Sequence, residues 1–161
     1  MLGPTEAETR KELIDPALKK AGWDVNDPDQ VGIEIPVDGF DPEAWHKLDS
    51  KLRRLRQEGV PYDAELPAGV SDYVLYRPNG EIIAIVEAKR TSVDSRLAEP
   101  QVEFYVTEIA KRQSFQPFGF ATNGHDIYFH DVGWAPKRQV YGFFSPDDLE
   151  TLVRKYLQAE G

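Results

Sequence analysis

Residues 72–89, DYVLYRPNGEIIAIVEAK, decide the fold. Two β-rich runs, Asp72 to Tyr76 and Glu81 to Glu87, flank Arg77-Pro78-Asn79-Gly80. Asn-Gly between such runs signals a hairpin, because both residues tolerate the positive φ that a tight connection demands. The stretch Ile82-Ile83-Ala84-Ile85-Val86 is apolar throughout, the pattern of a strand covered on both faces. This second strand is therefore expected at the centre of a sheet.

Upstream, Thr5 to Ala21 sets Leu13, Ile14, Ala17, Leu18 and Ala21 at helical spacing. Thr5 and Glu8 form a capping box, Pro16 predicts a bend, and Gly22 is the stop signal before Trp23. Ile33, Ile35 and Val37 alternate with Glu34 and Pro36. This predicts an edge strand, since proline cannot donate into a ladder. Asp41 to Glu58 carries Trp45, Leu48, Leu52 and Leu55 on one stripe of a charged helix, solvated or facing a partner. Residues 59–70 read as a loop rich in Gly and Pro.

Downstream, Glu99 to Gln113 predicts a helix with Pro100 in its first turn. Phe118 to Thr122 and Asp126 to His130 predict two strands joined at Asn123-Gly124, and Ser145 caps a last helix running from Pro146 through Leu157. The order α, β, α, β, β, α, β, β, α predicts an α/β domain with a mixed central sheet flanked by helices, filling residues 1–161 as a single unit.

A chain of 161 residues holds one core but no motor beside it. With 40% hydrophobic and 29% charged residues it is expected to fold rather than stay disordered. No apolar run approaches the ~18 residues of a membrane span, and no basic-then-apolar leader opens the chain. Both point to a cytoplasmic protein with no membrane partner. The absence of cysteine excludes disulfides, thiolate zinc sites and thiol nucleophiles, so any metal must sit on oxygen or imidazole.

The net charge of −9 runs against unaided DNA binding, which favours a basic surface. Either the chain does not act on nucleic acid, or other segments deliver it, or the acidic balance serves solubility. Lys51, Arg53, Arg54 and Arg56 form a dense basic run that could contact phosphates, although Glu43, Asp49 and Glu58 interrupt its field and favour a solvated face or a domain contact. His125 and His130 flank a strand and point to opposite faces, which suits surface or turn roles; His46 stands apart. No nucleophile elbow, dinucleotide fingerprint or GxxxxGK[ST] phosphate loop is present.

Because the turn lies midway between them, pairing the hairpin brings Asp72 and Glu87 to one end, and Glu87 and Lys89 share a face of the strand. Two carboxylates and an ammonium suit metal-assisted phosphodiester hydrolysis. Oxygen ligands hold Mg²⁺, bound water becomes the nucleophile, and the lysine orients it or stabilises the transition state. Spacing alone leaves open a solvent-facing charged pair. Gln101 and Tyr105, four apart, share a helical face. Their amide and hydroxyl suit a phosphate or the lysine, unless Tyr105 is an ordinary core aromatic.

Ser71-Asp72 followed by Glu87-Ala88-Lys89 resembles the PD-(D/E)xK nuclease superfamily, with Ser71 where the motif has proline. Gln101-Val-Glu-Phe-Tyr105 matches the QxxxY motif of a subset that includes the restriction subunits of type I restriction enzymes. Thr5-Glu-Ala-Glu-Thr9, Leu18-Lys-Lys-Ala-Gly-Trp23, Asp72-Tyr-Val-Leu-Tyr76, Val86-Glu-Ala-Lys-Arg90 and Ala121-Thr-Asn-Gly124 are similar to the N-terminal endonuclease domain of that R subunit. The likeness covers most of the chain outside residues 38–68.

This resemblance implies a restriction-endonuclease-like fold and a Mg²⁺-dependent DNA endonuclease, with Mn²⁺ as a substitute ion. Asp72 and Glu87 would ligate the metal, with the Ala88 carbonyl as a further ligand and Lys89 as the catalytic lysine. Glu6, or Glu8 after it, would be the supporting helix-borne acid. The implied partners are double-stranded DNA, translocase domains of the same subunit, and methylation and specificity subunits. ATP would act only through translocase domains that this chain lacks. A stand-alone nuclease of repair or mobile elements, and a catalytically silent docking domain, are the alternatives.

Overall fold

The computed structural model describes residues 3–36, 70–132 and 134–160. In chain order these hold α1 (Glu6–Thr9), a π-turn (Arg10–Ile14), α2 (Asp15–Lys20), β1 (Val31–Pro36), β2 (Val70–Tyr76) and β3 (Ile82–Ala88). A 3-10 turn (Ser95–Ala98) leads into α3 (Glu99–Ala110), followed by β4 (Phe118–Thr122), β5 (Ile127–His130), β6 (Arg138–Val140) and α4 (Pro146–Glu160). The expected helix at Asp41 to Glu58, with His46 and the basic run Lys51 to Arg56, lies outside the described residues, as does Val37.

The strands form one sheet in the order β1-β2-β3-β4-β5-β6. β3 pairs antiparallel with β2 and parallel with β4, and the other pairs are antiparallel. This is the mixed sheet flanked by helices that the pattern predicted, with β3 inside it and β1 at its edge. At the β2–β3 turn Gly80 sits at φ +90°, and the Arg77 N–H donates to the Glu81 carbonyl at 2.8 Å. The Arg77 guanidinium then ties the turn to α4, donating to both Glu150 oxygens at 2.7 and 3.1 Å. A parallel β3–β4 pair needs a crossover, and α3 supplies it.

Each face of the sheet carries its own core. Ile14, Leu18, Tyr73, Val86, Phe120, Phe129 and Leu149 bury one side under α2 and α4. Val74, Ile85, Val102, Tyr105, Val106 and Ala121 bury the other under α3. Alternation along β3 therefore sends Ile85, Glu87 and Lys89 to the α3 side.

Four local expectations are corrected. The first helix is interrupted by a π-turn, not merely bent at Pro16: the Asp15 N–H donates back to the Arg10 carbonyl. Pro16 has no N–H to continue an α-helical ladder, so the wider turn absorbs the defect. β1 begins at Val31, which is buried, whereas Ile33 is 48% exposed. Glu34 takes φ +55° and breaks the simple alternation. β6 is short and mostly exposed, with no apolar signal to announce it. His130 is buried rather than superficial, with neither ring nitrogen hydrogen-bonded. His125, in the turn, is exposed as expected. No described helix is long and apolar enough to cross a membrane.

Gly119 sets how closely α3 approaches β4. A Cβ there would lie 2.2 Å from Val102 Cγ1, far inside van der Waals contact. Gly119→Ala is expected to destabilise the domain by about 1–3 kcal/mol through overpacking, read as a lower urea midpoint at unchanged slope.

Candidate active site

The β2–β3 register runs Tyr73 opposite Val86, and its continuation sets Asp72 opposite Glu87. Asp72 Oδ2 accepts the Ala88 N–H at 2.7 Å, so the ladder ends on a side chain. On the far side of β3 the Lys89 N–H donates to the Thr122 carbonyl at 2.8 Å, which fixes the strand end from which Glu87 and Lys89 project. Glu87 is 2% exposed and Lys89 4%. The Ser71 hydroxyl lies 2.7 Å from Glu87 Oε1 and 2.9 Å from the Tyr73 carbonyl, and its single proton serves one acceptor at a time.

Burial raises the pKa of Glu87 well above its ordinary value, and the neighbouring Asp72 charge raises it further against the Ser71 hydrogen bond. Burial also raises Asp72, opposed by the Ala88 N–H, by Arg10 and by the nearby Lys89 charge. Two carboxyls this close in a poorly solvated place do not both ionise readily without a counter-charge. Arg10 and Lys89 supply part of it, and a hard divalent cation would supply more. The donor set fits it, since Mg²⁺ takes one or two carboxylates and keeps water in its other positions.

Glu6 is exposed on α1, and among the described residues no three His, Cys, Asp or Glu side chains form a metal-sized group. The position one turn further along is occupied instead. Arg10 Nη1 donates to Asp72 Oδ1 at 3.0 Å and Nη2 to Glu34 Oε1 at 3.2 Å. Tyr105 is fully buried in the same core cluster as Val74 and Ile85, the strand positions two after Asp72 and two before Glu87. Gln101 lies half-buried one turn earlier on α3. A cleft of about 550 Å³ lined by Phe115, Phe118, Asp131, Trp134 and Tyr156 includes none of these residues.

The family described as the type I restriction enzyme R protein N terminus matches residues 3–138. The chain belongs to this family. A solved structure described as a fragment of a candidate HsdR subunit of a type I restriction enzyme from Vibrio vulnificus YJ016 shares the fold, at TM-score 0.64 and 24% identity. The alignment covers 95% of this chain and 26% of that one, so the chain spans about a quarter of that fragment's length. None of the curated proteins compared with the chain matches it.

In this R-protein N-terminal domain, two site residues escaped the sequence reading. Ser71 was visible only as a departure from proline in the motif, yet its hydroxyl orients Glu87. Arg10 follows the acidic stretch Thr5 to Thr9, and nothing in helical spacing links it to Asp72, 62 positions away. The Glu34 backbone is a third departure, since a non-glycine residue at positive φ costs about 1–3 kcal/mol. Its exposed carboxylate reaches Arg10 at 3.2 Å.

The protonation energetics have a definite sign. Folding favours protonated Glu87, so its contribution is complete below its ordinary value of 4.5 and is lost as pH rises through its folded-state pKa. In metal-free buffer Glu87→Gln is therefore expected to melt above the wild type at pH 7–8 and to lose that advantage near pH 4. A Gln variant that never exceeds the wild type at neutral pH would show that the burial carries no such penalty.

Proposed function

We propose that this chain is the Mg²⁺-dependent DNA endonuclease domain of a type I restriction enzyme R subunit, hydrolysing phosphodiester bonds. One observation carries the reading: half-buried Asp72 and buried Glu87 stand side by side at the end of the β2–β3 hairpin, with Lys89 one strand repeat beyond Glu87. Asp72, Glu87 and the Ala88 carbonyl would hold the metal. When bound, the ion lowers the pKa of its water and offsets charge on the phosphate.

The chain's own groups do the rest. Glu87, oriented by Ser71, presents one carboxylate in a fixed direction. The Lys89 ammonium, held by the strand end, meets the attacking water or the charge developing on phosphate oxygens, where a preorganised cation is most effective. Gln101 and Tyr105 lie on the crossover helix that covers this face; Tyr105 buttresses the strands through Val74 and Ile85, and Gln101 is assigned to the phosphate side.

The net charge of −9 favours delivery of double-stranded DNA by other parts of the enzyme: translocase domains driven by ATP, and methylation and specificity subunits. Asp72→Ala, Glu87→Ala and Lys89→Ala are each expected to lower cleavage by the assembled enzyme by roughly 10²–10³-fold or more, with Mg²⁺ required and Mn²⁺ able to replace it. ATP hydrolysis is expected to be unaffected. A purified variant that still cuts at the wild-type rate would remove that residue from the chemistry.

A further inference from the structure

Arg10 occupies a position that a metal-binding carboxylate cannot share. Both oxygens of Asp72 are engaged: Oδ2 accepts the Ala88 N–H and Oδ1 accepts Arg10 Nη1. The first contact belongs to the main-chain frame of the hairpin. The second is a side-chain cation, and a divalent ion that takes Asp72 as ligand competes with it directly.

Glu34 makes that competition reversible. On β1, Ile33 pairs with Tyr73 and Ile35 with Ser71, which sets Glu34 opposite Asp72. Its carboxylate already accepts the other guanidinium nitrogen, and its side chain is 62% exposed against 21% for Asp72. The Arg10 backbone is held by the π-turn, with its carbonyl accepting the Asp15 N–H, while the Tyr73 hydroxyl beside it is paired with the Asp15 carboxylate. Movement is thus confined to the side chain, and the way out leads toward Glu34 and solvent.

We propose that Arg10 is a positioning residue that neutralises Asp72 while no divalent ion is bound and yields the carboxylate to the ion by retreating onto Glu34. The proposal rests on the reading of Asp72 and Glu87 as metal ligands. Arg10 and Glu34 therefore act on metal affinity with opposite signs, one as competitor and the other as its alternative acceptor.

Mn²⁺ binding to the chain without DNA, followed by electron paramagnetic resonance, tests this. Arg10→Met is expected to tighten binding roughly tenfold and Glu34→Gln to weaken it about threefold, the range of one partly buried charge-assisted hydrogen bond. Asp72→Asn is expected to abolish the signal change. Binding that depends on Asp72 but is unchanged or weaker in a folded Arg10→Met variant overturns the role of Arg10 alone. Wild-type binding indifferent to Asp72→Asn overturns the metal-ligand reading itself. Should Arg10→Met fail to fold, the guanidinium ¹⁵N resonances of Arg10 in the wild type decide. Mg²⁺ must shift them, and resonances unmoved at saturation overturn the proposal.

Discussion

The contact between the Ala88 N–H and the Asp72 carboxylate ends the β2–β3 ladder on a side chain, and the neighbouring structure is arranged around it. A main-chain partner there would satisfy the same donor without bringing a charge into the protein. Using Asp72 places one carboxylate against Glu87, and the surroundings answer that repulsion group by group. Ser71 donates to Glu87, Arg10 to Asp72, and Lys89 adds its field from the next same-face position.

The sheet explains why these answers can be precise in geometry while remaining unfavourable in energy. Antiparallel pairing on one side of β3 and parallel pairing on the other lock the strand end between two ladders, and both faces of the sheet beneath are packed. A rigid frame holds like charges together that would separate on a loop. Stability sacrificed at the strand end is met by the apolar layers below, the usual relation between a preorganised site and its scaffold.

Much of this was legible in residues 72–89. The Asn-Gly turn and the apolar run of β3 reported a hairpin, a central strand and the convergence of Asp72 with Glu87. Those signals are local and periodic, which is why they survive in a bare sequence. The missing parts are set by tertiary geometry. Pro16 announced a disturbance in the first helix but not its form, and the π-turn changes which face residues before it present, so the orientation of Glu6 could not be read from a 3.6-residue period. Glu34 sits at a backbone angle that no glycine advertised, and β6 exists because β5 offers an edge. Tyr105 kept both of its readings, a motif position and a core aromatic, and the structure buries it without separating it from the site's strands.

β1 and β2 lie side by side although residues 37–69 run between them. An antiparallel pair at the edge of a sheet can be closed by a connection of almost any length, because the entropy of closure grows only with the logarithm of the segment. Lengthening such a connection twofold adds about 0.6 kcal/mol, less than a single buried methylene contributes. The pairing of β1 with β2 therefore does not require a short connection, whereas the hairpin that holds Asp72 and Glu87 is closed by its own turn at Asn79-Gly80.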